Sequence, residues 1–148
     1  MNGESRKKML LIGGAVSVTV GAYLPWLRTN PNLPPDAEIP GIFYTGMGAG
    51  FEGFDFALLG LVGLVLLVHA VSARTMARTA MTLFVALGTT LFPAYYLSQS
   101  TLIGFAATFV PTIGWYLTVL GGILFTVAGG LKLPSIIRRP ETIASPRE

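Results

Sequence analysis

The chain has 148 residues, of which 52% are hydrophobic and 11% charged, with a mean hydropathy of +0.65. A soluble domain carries about 25% charged residues, so this one lacks the charge to solvate a globular surface and reads as a single domain in a membrane. Cysteine is absent, which excludes disulfides, thiolate-bound zinc or iron–sulfur centres and a thiol nucleophile.

A helix needs about 20 apolar residues to cross roughly 30 Å of hydrocarbon. Four stretches qualify: residues 9–27, 54–73, 79–97 and 111–133. The expected fold is all-α, a four-transmembrane-helix bundle with a long, partly ordered first extracellular loop. The first stretch follows Arg6, Lys7 and Lys8, as a signal peptide would. It runs on to Leu24-Pro25-Trp26 without a small-residue cleavage site and is read as a retained span. Every fourth residue on it is small, at Gly13, Ser17 and Gly21.

The loop 28–53 holds four prolines and the glycines Gly41, Gly46, Gly48, Gly50 and Gly53. That length exceeds a simple connector, and its apolar residues, among them Leu33, Tyr44, Met47 and Phe51, suit a cap packed on the helices. Residues 42–51 are a candidate hairpin that the glycines weaken. The glycine series lacks the flanking strand and helix of a phosphate cradle. Asp36, Glu38 and Glu52 lack the tight alternating spacing of a calcium loop, so a cation there has weak support. Asp55 stands where an N-cap would open the second span.

That second span is apolar all round, with only Gly60 and Gly63 as small residues, and ends near the one histidine, His69. A lone imidazole there reads as a polar group with a backbone or water partner. The third span carries Thr82, Ala86, Thr90, Ala94 and Ser98 at every fourth position, and Pro93 either bends the helix or marks its end. The loop 98–110 is uncharged and either lies in the interface or extends the neighbouring spans. The fourth span carries Gly114, Thr118, Gly122, Thr126 and Gly130. Residues four apart share a helix face, and small side chains let membrane helices approach closely. Spans one, three and four are therefore expected to form the tight seam, with Gly13, Ser17, Gly21, Ala86, Thr90, Gly114, Thr118 and Gly122 in it. The second span packs through larger side chains or faces lipid. The same ladders would also serve contacts between copies.

Arg6, Lys7, Lys8, Arg74, Arg78, Lys132, Arg138, Arg139 and Arg147 fall on one side of these spans and only Arg28 on the other. By the positive-inside rule the tails 1–8 and 134–148 are cytoplasmic, and the chain is a multi-pass protein of the cell membrane. Nine bases against Glu4, Glu141 and Glu148 give +6 inside; Arg28 against Asp36, Glu38, Glu52 and Asp55 gives −3 outside. The sequence pI near 9.5 is thus a signal of topology rather than of nucleic-acid binding, and it gives the inner face some affinity for anionic headgroups. Trp26, Trp115, Tyr23, Tyr44, Tyr95, Tyr96 and Tyr116 all gather at the outer side, either as an interfacial belt or as a surface for a partner, a lipid or an apolar ligand. Trp26, Arg28, Tyr44, Tyr95, Tyr96, Trp115 and Tyr116 are the candidate contact residues.

The span interiors contain no Asp, Glu, Lys or Arg, as an ion-coupled transporter would need, and no nucleophile has a visible base. The expected function is a non-catalytic accessory or structural subunit, without cofactor or metal, whose partners are the lipid bilayer and other membrane chains or further copies. A homo-oligomeric pore or passive carrier is the alternative, and a cofactor-binding membrane subunit the third. Leu24-Pro25-Trp26, Gly114-Trp115, Gly121-Gly122 and Gly129-Gly130 resemble elements of small uncharacterised four-span membrane proteins of bacteria and archaea. That resemblance covers the spans, implies the four-span architecture and brings no activity. The plan of Trp26, a large first outer loop and both ends inside is superficially similar to claudin-type proteins, whose loop is stapled by a cysteine pair that this chain lacks.

Overall fold

A computed structural model describes residues 3–33, 47–51, 53–102 and 109–131. Among the described residues there are four helices, α1 (Gly3–Tyr23), α2 (Phe54–Val71), α3 (Thr75–Leu102) and α4 (Ile113–Gly130), and two short strands, β1 (Leu27–Thr29) after α1 and β2 (Phe109–Pro111) before α4. The expected all-α description thus gains an antiparallel pair, with Leu27 opposite Pro111 and Thr29 opposite Phe109.

α2, residues 75–98 of α3, and α4 are each long and apolar enough to cross a membrane. α1 differs. It is helical from Gly3, so the expected N-terminal tail forms its first turns, and Glu4, Arg6, Lys7 and Lys8 lie inside the helix. Its apolar part ends at Tyr23, because Pro25 has no N–H with which to continue the ladder; the Leu24 amide makes the last bond of the series, to Val20. Residues 9–23 give about 22 Å of helix, short of the hydrocarbon thickness, and the expected span to residue 27 finishes in non-helical chain. Pro93 resolves the other way: α3 runs through it, and the missing N–H leaves the Thr89 carbonyl without its usual helical donor.

The helices contact one another in chain order around a ring, α1 with α2, α2 with α3, α3 with α4 and α4 back to α1. Neighbours are antiparallel: Gly14 meets Gly121, whereas Gly21 meets Gly114 and Thr118. Packing is most extensive between α4 and its neighbours α1 and α3, and sparsest around α2, where Leu58, Val62 and Val65 are buried. Phe125 of α4 is fully buried among Val18, Val85 and the other core residues.

The seam follows a different repeat from the fourfold ladder. Buried positions run Lys7, Leu11, Gly14, Val18, Gly21 on α1; Thr79, Thr82, Ala86, Thr89, Pro93 on α3; and Gly114, Thr118, Gly121, Phe125, Ala128 on α4. Steps of three and four alternate, which is the repeat of helices packed at a shallow angle. A strict step of four turns each residue about 40° further round the helix, so a fourfold ladder walks off the contact face. Gly21, Ala86, Gly114, Thr118 and Gly122 lie on that face, whereas Gly13, Ser17 and Thr90 are half-buried at its edge and Ala94 and Thr126 are exposed.

Small residues are needed here because backbone meets backbone. A Cβ on Gly114 would meet the carbonyl oxygen of Leu24, that of Pro25 at 2.6 Å and that of Gly21 at 2.9 Å. On Gly121 it would lie 2.5 Å from Val18 Cγ2 and 2.9 Å from the Gly14 carbonyl. Gly60 and Gly63 of α2 have open space instead. Gly114→Ala should therefore destabilise the fold by about 1–3 kcal/mol through overpacking. Gly60→Ala should stabilise it by about 0.5–1 kcal/mol by removing a helix-interior glycine. Thermal unfolding of both variants in detergent checks the opposite signs.

Candidate functional site

The strand end of the structure, where β1 and β2 lie, is built by the chain's exit from α1. Pro25 turns the backbone out of the helix, and Trp26 folds back so that its Nε1 donates to the Gly21 carbonyl at 3.0 Å. Gly21 has lost its normal helical donor, residue 25 being the proline, so the indole N–H replaces the missing amide. The Thr112 amide donates to the Trp26 carbonyl at 2.9 Å, and the Thr112 hydroxyl donates to the Pro25 carbonyl. The Gly50 amide reaches the Tyr23 carbonyl at 2.8 Å. The Gly21, Tyr23, Pro25 and Trp26 carbonyls, released by the broken helix, thus find donors outside the helical ladder.

Aromatic rings converge on Trp26, which is only 5% exposed. Phe92 and Tyr96 of α3 meet its indole edge-on, with centroids at 5.8 and 5.6 Å, and Phe54 lies 5.3 Å from Phe92. Such arrangements match ring-edge to ring-face charge. Beside them Trp115 donates its Nε1 to the Pro93 carbonyl at 2.9 Å, and Tyr116 packs at right angles to it at 5.1 Å. A cleft of about 100 Å³ lies between Trp26, Phe54, Phe92 and Tyr96 on one side and Gly48 and Gly50 on the other. Ligand pockets measure roughly 300–1,000 Å³, so this cleft is too small for a whole cofactor or drug-sized ligand. Asp55 is the one charged side chain among the described residues that line it.

The expected contact residues therefore divide. Tyr95 and Tyr116 are 60% and 54% exposed, and Arg28 of β1 is exposed as well. Tyr96 and Trp115 are half-buried. Trp26 is a correction: it is enclosed within its own chain and presents no surface to a partner or to lipid. Tyr44 lies outside the described residues, as do Asp36, Glu38, Glu52 and most of the candidate hairpin. Asp55 is a second correction. Gly53 is the N-cap residue of α2, with φ +34° and no side-chain cap hydrogen bond, and Asp55 stands in the first turn. A left-handed φ favours glycine at the cap, and the Asp55 carboxylate still stands at the positive end of the helix dipole. Phe54, Phe92 and Thr112 were not singled out from the sequence, whereas Phe51, expected to pin the loop onto the helices, packs on Tyr23 with ring centroids 5.3 Å apart. Phe92 carries a usable signal, since it precedes Tyr96 by one helical turn on the same face.

At the opposite, basic end His69 Nδ1 lies 2.9 Å from the Val65 carbonyl. A carbonyl only accepts, so Nδ1 carries the proton, and the expected backbone partner is present. Among the described residues no three His, Cys, Asp or Glu side chains come together in a way that would hold a metal ion. No protein family, curated protein or solved structure matches the chain.

Trp26→Ala should cost about 3–5 kcal/mol, the usual loss for an aromatic core side chain. Trp26→Phe retains packing but loses the bond to Gly21 and should cost about 1 kcal/mol for that bond. Unfolding followed by the fluorescence of Trp115, then the sole indole, measures the second variant directly.

Proposed function

We propose that the chain is a four-span integral membrane protein that serves as a non-catalytic accessory or structural subunit, docking other membrane components through its strand end. Three apolar helices support membrane insertion. The case for α1 as the fourth span rests on the residues beyond its last turn. Residues 24–27 are apolar and non-helical, leading through bends at Leu24 and Trp26 into β1, and they carry the chain beyond the last turn of α1. Non-helical backbone is tolerated at membrane depth only where its polar groups are satisfied within protein. The bonds from Thr112 to Pro25 and Trp26, and from Trp26 to Gly21, meet that condition. The basic end, with Arg6, Lys7, Lys8, Arg74 and Arg78, is then cytoplasmic, and the strand end is outside.

The observation that carries the docking role is the division of the strand end into a filled interior and an open rim. Among the described residues the interior is filled down to the small cleft beside Trp26, while Tyr23, Phe51, Phe54, Phe56, Tyr95, Ile113 and Tyr116 remain exposed around it. Aromatic residues are enriched at interfaces between proteins. The pore alternative asks for threonine stripes facing a shared channel. Of the threonines on those stripes, Thr82 and Thr118 are instead fully buried within one chain, with their hydroxyls donating to the carbonyls of Arg78 and Gly114; Thr90 is half-buried and Thr126 exposed.

Because the chain has no cysteine, single-cysteine labelling tests the topology without a background. Asn32→Cys should react with an impermeant reagent in intact cells, and Arg74→Cys only after the membrane is opened; the reverse pattern overturns the orientation. A photo-crosslinking residue at position 95 or 116 should join the chain to a different, larger polypeptide. Products made solely of this chain, with a purified assembly that releases solute from liposomes, would favour the pore.

A further inference from the structure

The basic end holds a second cavity, of about 220 Å³, between the start of α1, the end of α2 and the start of α3. Its walls are sorted by polarity along the helix axes. Lys7 and Lys8 of α1, His69 of α2 and Arg78 of α3 form the terminal part, with Glu4 the single carboxylate among the described residues. One turn deeper lie Leu11 and Ile12, four residues beyond the two lysines, and Leu66, three residues before the histidine. Ile12 and Leu66 are 61% and 42% exposed, so the apolar part opens sideways.

Three features of this cavity point to an anion. Lys7 is only 5% exposed, so one wall of the site is a cation largely withdrawn from water, where its attraction for an anion is weakly screened. Among the described residues three permanent cations share the space with one carboxylate, which leaves an excess of positive charge. Arg78 Nε is buried without a hydrogen-bond partner among the described residues, although it can donate to an anionic oxygen. The apolar continuation identifies the kind of anion. A free phosphate has no use for Leu11, Ile12 and Leu66, whereas a phospholipid carries acyl chains that begin where its phosphate ends.

We infer that this cavity is a binding site for the headgroup phosphate of an anionic phospholipid, held by Lys7, Lys8 and Arg78, with the acyl chains leaving along Ile12 and Leu66. Basic recesses between membrane helices on the cytoplasmic side bind such headgroups. The site rests on the membrane reading given above and is independent of docking at the strand end.

The test titrates the detergent-extracted full chain with phosphatidylglycerol, phosphatidylcholine or inorganic phosphate, reading retained ligand by native mass spectrometry and the shift in unfolding temperature. Phosphatidylglycerol should bind and raise the unfolding temperature, with phosphatidylcholine and inorganic phosphate doing neither. Arg78→Gln and Lys8→Gln should each weaken that binding about fivefold, the worth of one cation at an anionic surface. Arg74→Gln, an exposed basic residue at the same end that does not line the cavity, should leave it unchanged. Three results overturn the inference: equal responses to the two lipids, an Arg74→Gln loss as large as that of Arg78→Gln, or the full shift from inorganic phosphate alone. Recovery of the chain in the aqueous fraction without detergent would instead overturn the membrane reading, a separate outcome.

Discussion

The structure depends on the direct approach of two backbones, α1 and α4, at Gly14 with Gly121 and at Gly21 with Gly114. Hydrophobic burial drives helices together in water, but lipid tails are as apolar as the side chains that would leave them. What remains is dispersion, which falls off within an ångström of optimal contact, so the side chains on the contact face must be small enough to vanish. The same closeness sets the strand end. Only with Gly114 lying against the Leu24 and Pro25 carbonyls does Thr112, two residues earlier, reach Pro25 and Trp26, and only then is the indole of Trp26 enclosed beneath Phe92 and Tyr96.

Polar groups in the seam hold themselves rather than their neighbours. Thr82, Thr89, Thr118 and Thr126 all donate to a carbonyl one turn back on their own helix. Ser17 is the exception, donating across to the Leu117 carbonyl at 2.7 Å. Threonine therefore acts in this seam as a small side chain rather than as an interhelical bond, and the buried Thr79 and Thr90 hydroxyls have no hydrogen-bond partner among the described residues. Cohesion between α3 and α4 comes from fit, such as Gly122 under Thr89 and Thr90 and Gly129 under Leu83.

Hydropathy located the helical segments because it measures a property of each segment alone. It could not locate the end of α1, where the ladder is cut by Pro25, nor the length of α3, which passes through Pro93. The face of contact was half legible: the sequence displays small residues at several helical spacings, and only the partner's position selects the alternation of three and four over the strict four. That is why Gly14 and Gly121 stand at the seam in place of Gly13 and Ser17. The aromatic residues gathered at one end were plain to read, but their division was not. Whether an indole faces outward or folds inward depends on a free acceptor, and the one at Gly21 exists only because of a proline four residues later. Thr112 gave no signal at all, being one of many threonines until residues 25 and 112 are brought together. Arg78, His69 and Lys7 lie far apart in sequence, so the polarity of their shared cavity was equally invisible.

The close pairing of the first helix with the last sets an order of events during synthesis. Gly14 finds its counterpart at Gly121, about a hundred residues later, and at 5–20 residues per second roughly 5–20 s separate the two. For that interval the glycine face of α1 has no backbone to lie against, and the strands cannot pair because β2 does not yet exist. The earliest helix made is thus the last to be closed in, and a chain interrupted before α4 would leave open the one surface on which its assembly turns.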